Sequence, residues 1–143
     1  MMTKQFSTFY IGGRLYGLDV MAVQEVTKAL PTTKVPLAPK FVRGLINLRG
    51  QVATAVALKN LFDLPEEEKS EENMNVVCRG EDMLLSFVVD EIGDVIEVDE
   101  GLFEPTPDTV SESVKRFMSG VYKTPGDLLS ILEIKKITDV LQK

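Results

Sequence analysis

Two stretches of this chain carry the same pattern. Gly44 to Leu58 reads as a short apolar strand, a tight polar turn at Asn47 to Gly50, and a second apolar strand from Val52 to Leu58. Seventy-six residues further on, Gly44 falls on Gly120, Gly50 on Gly126, Val52 on Leu128, Val56 on Leu132, Leu58 on Ile134 and Leu61 on Ile137. The glycines keep a six-residue interval in both places. That predicts the same turn twice, because a residue without Cβ takes positive φ at little cost. The front portions also correspond, but two offsets compete. An offset of 69 pairs Leu18 with Phe87, Val23 with Ile92 and Val26 with Val95; one of 72 pairs Val20 with Ile92 and Glu25 with Glu97. The sequence does not choose between them.

The rest of the chain fills in around these stretches. Phe6 to Ile11 and Arg14 to Asp19 flank Gly12-Gly13, a two-residue connection that suits a hairpin. A short turn near Val20 leads into a strand running toward Val35. Prolines at 31, 36 and 39 make that region irregular, and Phe41, Val42 and Leu45 offer one apolar turn before the central hairpin. Lys59 to Leu64 reads as a closing turn. Asn75 to Arg79 and Met83 to Val89 form another hairpin, followed by Ile92, Val95, Ile96 and Val98. Glu133 to Lys143 is the best helix, with Ile134, Ile137, Val140 and Leu141 at helical spacing.

Copies of 60 to 70 residues with five short strands each favour small barrels, since closure removes exposed sheet edges. Each alone would be marginal, so the two are expected to pack together and share an apolar face. The chain is read as one domain, 1–143. A first subdomain takes about 14–65, a linker 66–73, and a second subdomain about 74–132; strand 6–11 packs across and a helix closes 133–143. The linker carries much of the net charge of −6, and the remainder sums close to balance. That argues against a phosphate-binding basic face and so against nucleic acid. The lone Cys78 lies in an apolar run and reads as a core residue. No apolar run approaches the ~20 residues of a membrane span, and no signal core opens the chain, which predicts a cytoplasmic protein.

A search for reactive groups returns little. With no histidine and one cysteine, nucleophilic triads and His-bearing metal sites drop out. There is no phosphate loop or nucleophile elbow. Asp90, Glu91, Asp94, Glu97, Asp99 and Glu100 are dense but lack the spacing of a calcium loop, and read as a solvated edge. No cofactor is expected. Arg49 is the one charge in the fifteen residues from Gly44 to Leu58. As a residue type it is a solvated turn cation; placed at a hairpin tip it is also an ordered donor.

The ordered set Tyr16-Gly-Leu-Asp-Val-Met-Ala-Val-Gln-Glu-Val26, Phe41-Val-Arg-Gly-Leu-Ile-Asn-Leu-Arg-Gly50, Val88-Val-Asp-Glu-Ile-Gly-Asp-Val95 and Ser130-Ile-Leu-Glu-Ile134 resembles the chemotaxis coupling proteins, the CheW family, over nearly the whole length. The resemblance implies a mainly β fold of two SH3-like five-stranded barrels with short helical turns. It also implies a non-enzymatic adaptor in cytoplasmic arrays beneath the inner membrane. There it would join the tip of a methyl-accepting chemoreceptor to the regulatory domain of the histidine kinase CheA. By position, Val23, Glu25, Gly44 and Arg49 carry over to a receptor-facing site between the barrels. Val23 would supply apolar area, Gly44 close backbone approach, Arg49 a donor fork, and Glu25 its counter-charge or an internal brace. Thr54, Ala57, Ser86 and Phe87 depart from the family pattern. That leaves open a divergent scaffold serving a non-chemotactic array; a small-ligand binder using the groove is the reading from another class.

Overall fold

The computed structural model describes residues 2–65 and 73–142. Apart from Asn73, the linker read at 66–73 lies outside the described residues. The chain runs β1 (Thr3–Ile11), β2 (Arg14–Asp19), a 3-10 turn (Val20–Ala22), β3 (Val23–Lys28), β4 (Val42–Leu48), β5 (Gln51–Ala57) and α1 (Leu58–Leu61). It continues through β6 (Met74–Gly80), β7 (Met83–Val89), β8 (Glu91–Asp99), a second 3-10 turn (Glu100–Leu102), α2 (Glu112–Lys115), β9 (Met118–Thr124), β10 (Asp127–Leu132) and α3 (Ile134–Leu141). The expected hairpins and closing helix are present. Phe41 to Leu45, read as a turn, instead enters β4 at Val42.

The strands form two five-stranded sheets, in the orders β3-β6-β7-β5-β4 and β8-β1-β2-β10-β9. Each sheet curls on itself. Ile96 and Val98 of β8 share one apolar cluster with Tyr122 of β9, the strand at the opposite end of the order. We call the first sheet barrel one and the second barrel two.

Their membership corrects the sequential division at 66–73. Barrel one takes β3, β4 and β5 from the front of the chain but β6 and β7 from beyond the linker; barrel two takes β1 and β2 from the front and β8 to β10 from the end. The repeat is nonetheless sequential, β1–β5 followed by β6–β10, with the leading hairpins exchanged. The crossover begins at the 3-10 turn after β2, where the Asp19 carboxylate accepts from the Met21 amide at 3.0 Å and turns the chain away from its own hairpin. Alternation tells a strand which faces to bury, and says nothing about which strand will be its neighbour.

The ladders settle the offset. Ser7 pairs with Val95 in barrel two; its counterpart 69 residues on, Val76, pairs with Val26, itself the counterpart of Val95. The parallel ladders agree, Tyr16 with Ser130 in one barrel and Leu85 with Thr54 in the other. Front strands are therefore related by 69 residues and rear hairpins by 76.

Three apolar clusters account for the packing. Ile46, Leu48, Ala53, Ala55 and Val77 fill barrel one, and Phe6, Leu15, Tyr122, Leu129 and Ile131 fill barrel two. The third and largest lies between them, built on Phe9, Tyr16, Leu18, Phe62, Phe87, Phe117 and Ile137 among others. A clasp crosses the same boundary. The Asp90 carboxylate, beside β8, accepts from the Gly12 amide of the β1–β2 turn at 2.8 Å and pairs with Lys59 of α1 at 3.1 Å. Cys78 sits in the shared core, where burial pushes its thiol up to about 12. An acid whose folded pKa exceeds its ordinary 9.0 stabilises the fold below that value, and the contribution fades as pH climbs toward about 12. Cys78→Ala should therefore show a stability deficit that shrinks on going from about pH 9 to pH 11 in urea titrations. A deficit constant over that range would show that the thiol plays no part in alkaline unfolding.

Candidate functional site

The site grows from the β4–β5 hairpin. Arg49 and Gly50 both hold positive φ, 49° and 91°, which is a type I′ turn, and the Asn47 carboxamide oxygen accepts from the Gly50 amide at 3.0 Å. The second copy departs from the expectation of an identical turn. There Gly126 keeps φ 87° but Pro125 stands where Arg49 stood, and its ring fixes φ near −65°. Only barrel one has a cation at this tip.

That cation reaches the far edge of its own sheet. An Arg49 guanidinium N–H donates to the Glu25 carboxylate of β3, and Gln24 Nε2 donates to Gln51 Oε1 at 3.4 Å. Because β3 and β4 are the two ends of the strand order, these bonds latch the barrel shut. Glu25 is mostly covered, at 23% side-chain exposure, while Arg49 stays 73% exposed. The brace and the outward donor are thus one arrangement. An exposed pair of this kind contributes about 0–1 kcal/mol.

Val23 opens β3, one bulged residue before Glu25, and packs partly against the shared core. Part of its apolar area is therefore already used inside the chain. Gly44 differs from its expected role. It is buried, and a Cβ built on it would lie 2.4 Å from the Thr33 carbonyl oxygen. The close backbone approach it permits is that of the chain's own 31–34 segment. Gly120 repeats this, with the Glu104 carbonyl 2.6 Å from its missing Cβ. The structure brings Glu25 and Arg49 into contact with Val23 beside them, and leaves Gly44 in a packing role.

The departures from the family pattern also face inward. Ala57 and Phe87 are buried, Ser86 is buried and accepts from Asn75 Nδ2 at 2.8 Å, and Thr54 is half-buried in β5. Three of the four therefore change the interior, which weakens the reason to expect a divergent partner. The region between the barrels is largely occupied by the aromatic core, so the small-ligand reading gains nothing there.

Two features escaped the sequence reading. Residues 26–62 hold six basic residues and no acid, while 90–114 hold nine acids and no base. Overall balance concealed this split between barrel one and the β8 side of barrel two. Counting charge by segment instead of by chain would have found it. The other is Leu37. Pro36 and Leu37 form a turn closed by Ala38 N–H to the Val35 carbonyl at 3.3 Å, with Leu37 at φ 64° and fully exposed. Such a turn favours glycine or asparagine at that position, and leucine there costs about 1–2 kcal/mol. The sequence signal was the hydrophobe between two prolines, Pro36 and Pro39.

Twin interleaved barrels with a latched, outward cation define a contact module. Among the described residues no group of three or more His, Cys, Asp and Glu is placed to hold a metal ion, and no helix is long and apolar enough to cross a membrane. The CheW-like domain model matches residues 5–142, and the chain belongs to that family. Chemotaxis protein CheW of Treponema pallidum (strain Nichols) is 31% identical over 137 residues, covering 93% of this chain and 81% of that one. Chemotaxis protein CheW of Bacillus subtilis (strain 168) is 30% identical over 136 residues, covering 95% and 87%. Among solved structures, the scaffolding protein TtCheW from Thermoanaerobacter tengcongensis superposes with a TM-score of 0.88 at 31% identity, covering 99% of this chain and 97% of that one.

Proposed function

We propose that this chain is a non-enzymatic chemotaxis scaffold that couples a methyl-accepting receptor to the histidine kinase CheA in the cytoplasm. Family membership supports the class, and the Arg49–Glu25 latch is the observation that carries the site. Glu25 orders the guanidinium without enclosing it, so donors of a planar fork remain for an acid or a helix C-terminus on the receptor. Val23 adds partial apolar area beside it. Kinase contacts fall to other barrel surfaces, and the function resides in holding two proteins at once.

Arg49→Ala tests the site. It should weaken co-sedimentation with receptor-bearing membranes about tenfold or more, the equivalent of one or two lost charge-assisted hydrogen bonds. Kinase binding and the melting temperature should stay nearly unchanged, since the pair itself stabilises little. Undiminished receptor binding, or a collapse in melting temperature, would make Arg49 a structural brace only. The class is tested by retention of kinase on receptor membranes only when this chain is added.

A further inference from the structure

The core between the barrels stops short at one end. There a recess of about 340 Å³ opens between the β1–β2 turn, the β9–β10 turn and residues 109–114. Leu64, Val110 and Leu128, each half-buried against the shared core, give it an apolar wall. Val23, Glu25 and Arg49 take no part in it.

Tyr16 lies at the floor with a polar atom left over. It is only 2% exposed, its ring packed on Phe9 and Phe62. Buried tyrosine hydroxyls usually find a partner. This one has no hydrogen bond among the described residues, yet it is not sealed from solvent either. The little exposure that Tyr16 keeps therefore includes its hydroxyl, which opens into the recess. Burial pushes that hydroxyl above its ordinary 10.0 and the Arg14 guanidinium pulls it partly back, so it stays a donor beside a cation. Arg14, two residues earlier on the same face of β2, is exposed at the mouth and forms no ion pair among the described residues. Ser130, the parallel-ladder partner of Tyr16, brings a second hydroxyl to the same wall.

We infer that this recess binds a small molecule carrying one carboxylate on a branched apolar tail. The carboxylate accepts from the Arg14 fork and from the Tyr16 and Ser130 hydroxyls, while the tail lies against Leu64, Val110 and Leu128. Asp127, at the same mouth, sets the limit. A second acid group would face its carboxylate, which disfavours dicarboxylates and phosphates, whereas an ammonium beside the carboxylate is accepted. Leu64 follows α1 of barrel one and the polar groups belong to barrel two, so the tail extends the shared core across both. The recess is a second site on a contact module, and it stands or falls apart from the coupling function.

The test is calorimetric titration of the full chain with isocaproate, neutral isocaproamide, succinate and L-leucine, with the melting temperature read in each. Isocaproate at millimolar concentration should bind saturably and raise the melting temperature. Isocaproamide and succinate should bind at least about tenfold more weakly. L-leucine binding as tightly as isocaproate, or tighter, would set its ammonium against Asp127 and make amino acids the source of the carboxylate; weaker binding would make free carboxylic acids the source. Arg14→Gln, at an exposed and unpaired position, should keep the fold and weaken isocaproate binding at least about tenfold. Tyr16→Phe removes a hydroxyl that bonds to nothing in the chain, so it should melt no lower than wild type without ligand and bind about three- to tenfold more weakly. No saturable binding of either isocaproate or L-leucine would overturn the inference. So would isocaproamide or succinate binding as tightly as isocaproate, or Arg14→Gln binding like wild type.

Discussion

Phe62→Ala is expected to lower stability by about 3–5 kcal/mol, the range for removing a fully buried aromatic side chain. Phe62 follows α1, at the end of a hairpin belonging to barrel one, yet its ring lies 5.4 Å from Tyr16 of β2 and 5.9 Å from Phe117 just before β9. Those partners come from barrel two or its approach, so the truncation empties the contact between barrels. At this chain length each kilocalorie lowers the melting temperature by about 2–4 °C, which puts the expected drop at roughly 10 °C. The loss should appear as one cooperative transition, in calorimetry and in circular dichroism alike. The shared core is the reason: Phe62 packs on Tyr16 and Phe117, so each barrel buries part of its apolar surface only against the other. Two separated transitions in the variant would show that the barrels fold independently and that the aromatic cluster merely glues them together.

Much of this architecture was legible because the repeat leaves regular marks. The glycines at 44, 50, 120 and 126 and the apolar alternation around them located both rear hairpins, and the strand count pointed to paired barrels. The exchange of leading hairpins was not legible. Val26 and Val95 occupy equivalent places in the repeat and would suit either sheet; only the ladders to Val76 and Ser7 assign them. The turns differed for a local reason, since Pro125 cannot adopt the positive φ that Arg49 does. At the site, the family resemblance named Arg49 and Glu25 as a pair, but not as a latch, because closure depends on β3 and β4 ending the same strand order. Asp90 was assigned to a solvated edge; in place it clasps the Gly12 turn and Lys59.

Gly44→Ala distinguishes a packing glycine from a contact glycine. The new Cβ would meet the Thr33 carbonyl oxygen at 2.4 Å and its carbon at 2.8 Å, with backbone φ at 146°. Neither neighbour is a flexible side-chain end. Thr33 and Leu45 exchange backbone hydrogen bonds, each at 2.8 Å, so the 31–34 segment can retreat only by breaking them. Overpacking of this kind and unfavourable backbone geometry each cost about 1–3 kcal/mol, and together about 3 kcal/mol is expected. Receptor binding should then fall in proportion to the unfolded fraction and recover when the protein is cooled or stabilised. Gly120→Ala serves as the control, because its missing Cβ faces the Glu104 carbonyl at 2.6 Å and the Phe103 ring at 2.3 Å in the other barrel, away from Arg49. Equal losses of stability in the two variants would establish both glycines as paired features of the repeat. A Gly44→Ala protein that melts like wild type but fails to bind receptor would restore Gly44 to the contact surface, and the Thr33 carbonyl would have to move aside to admit the methyl group.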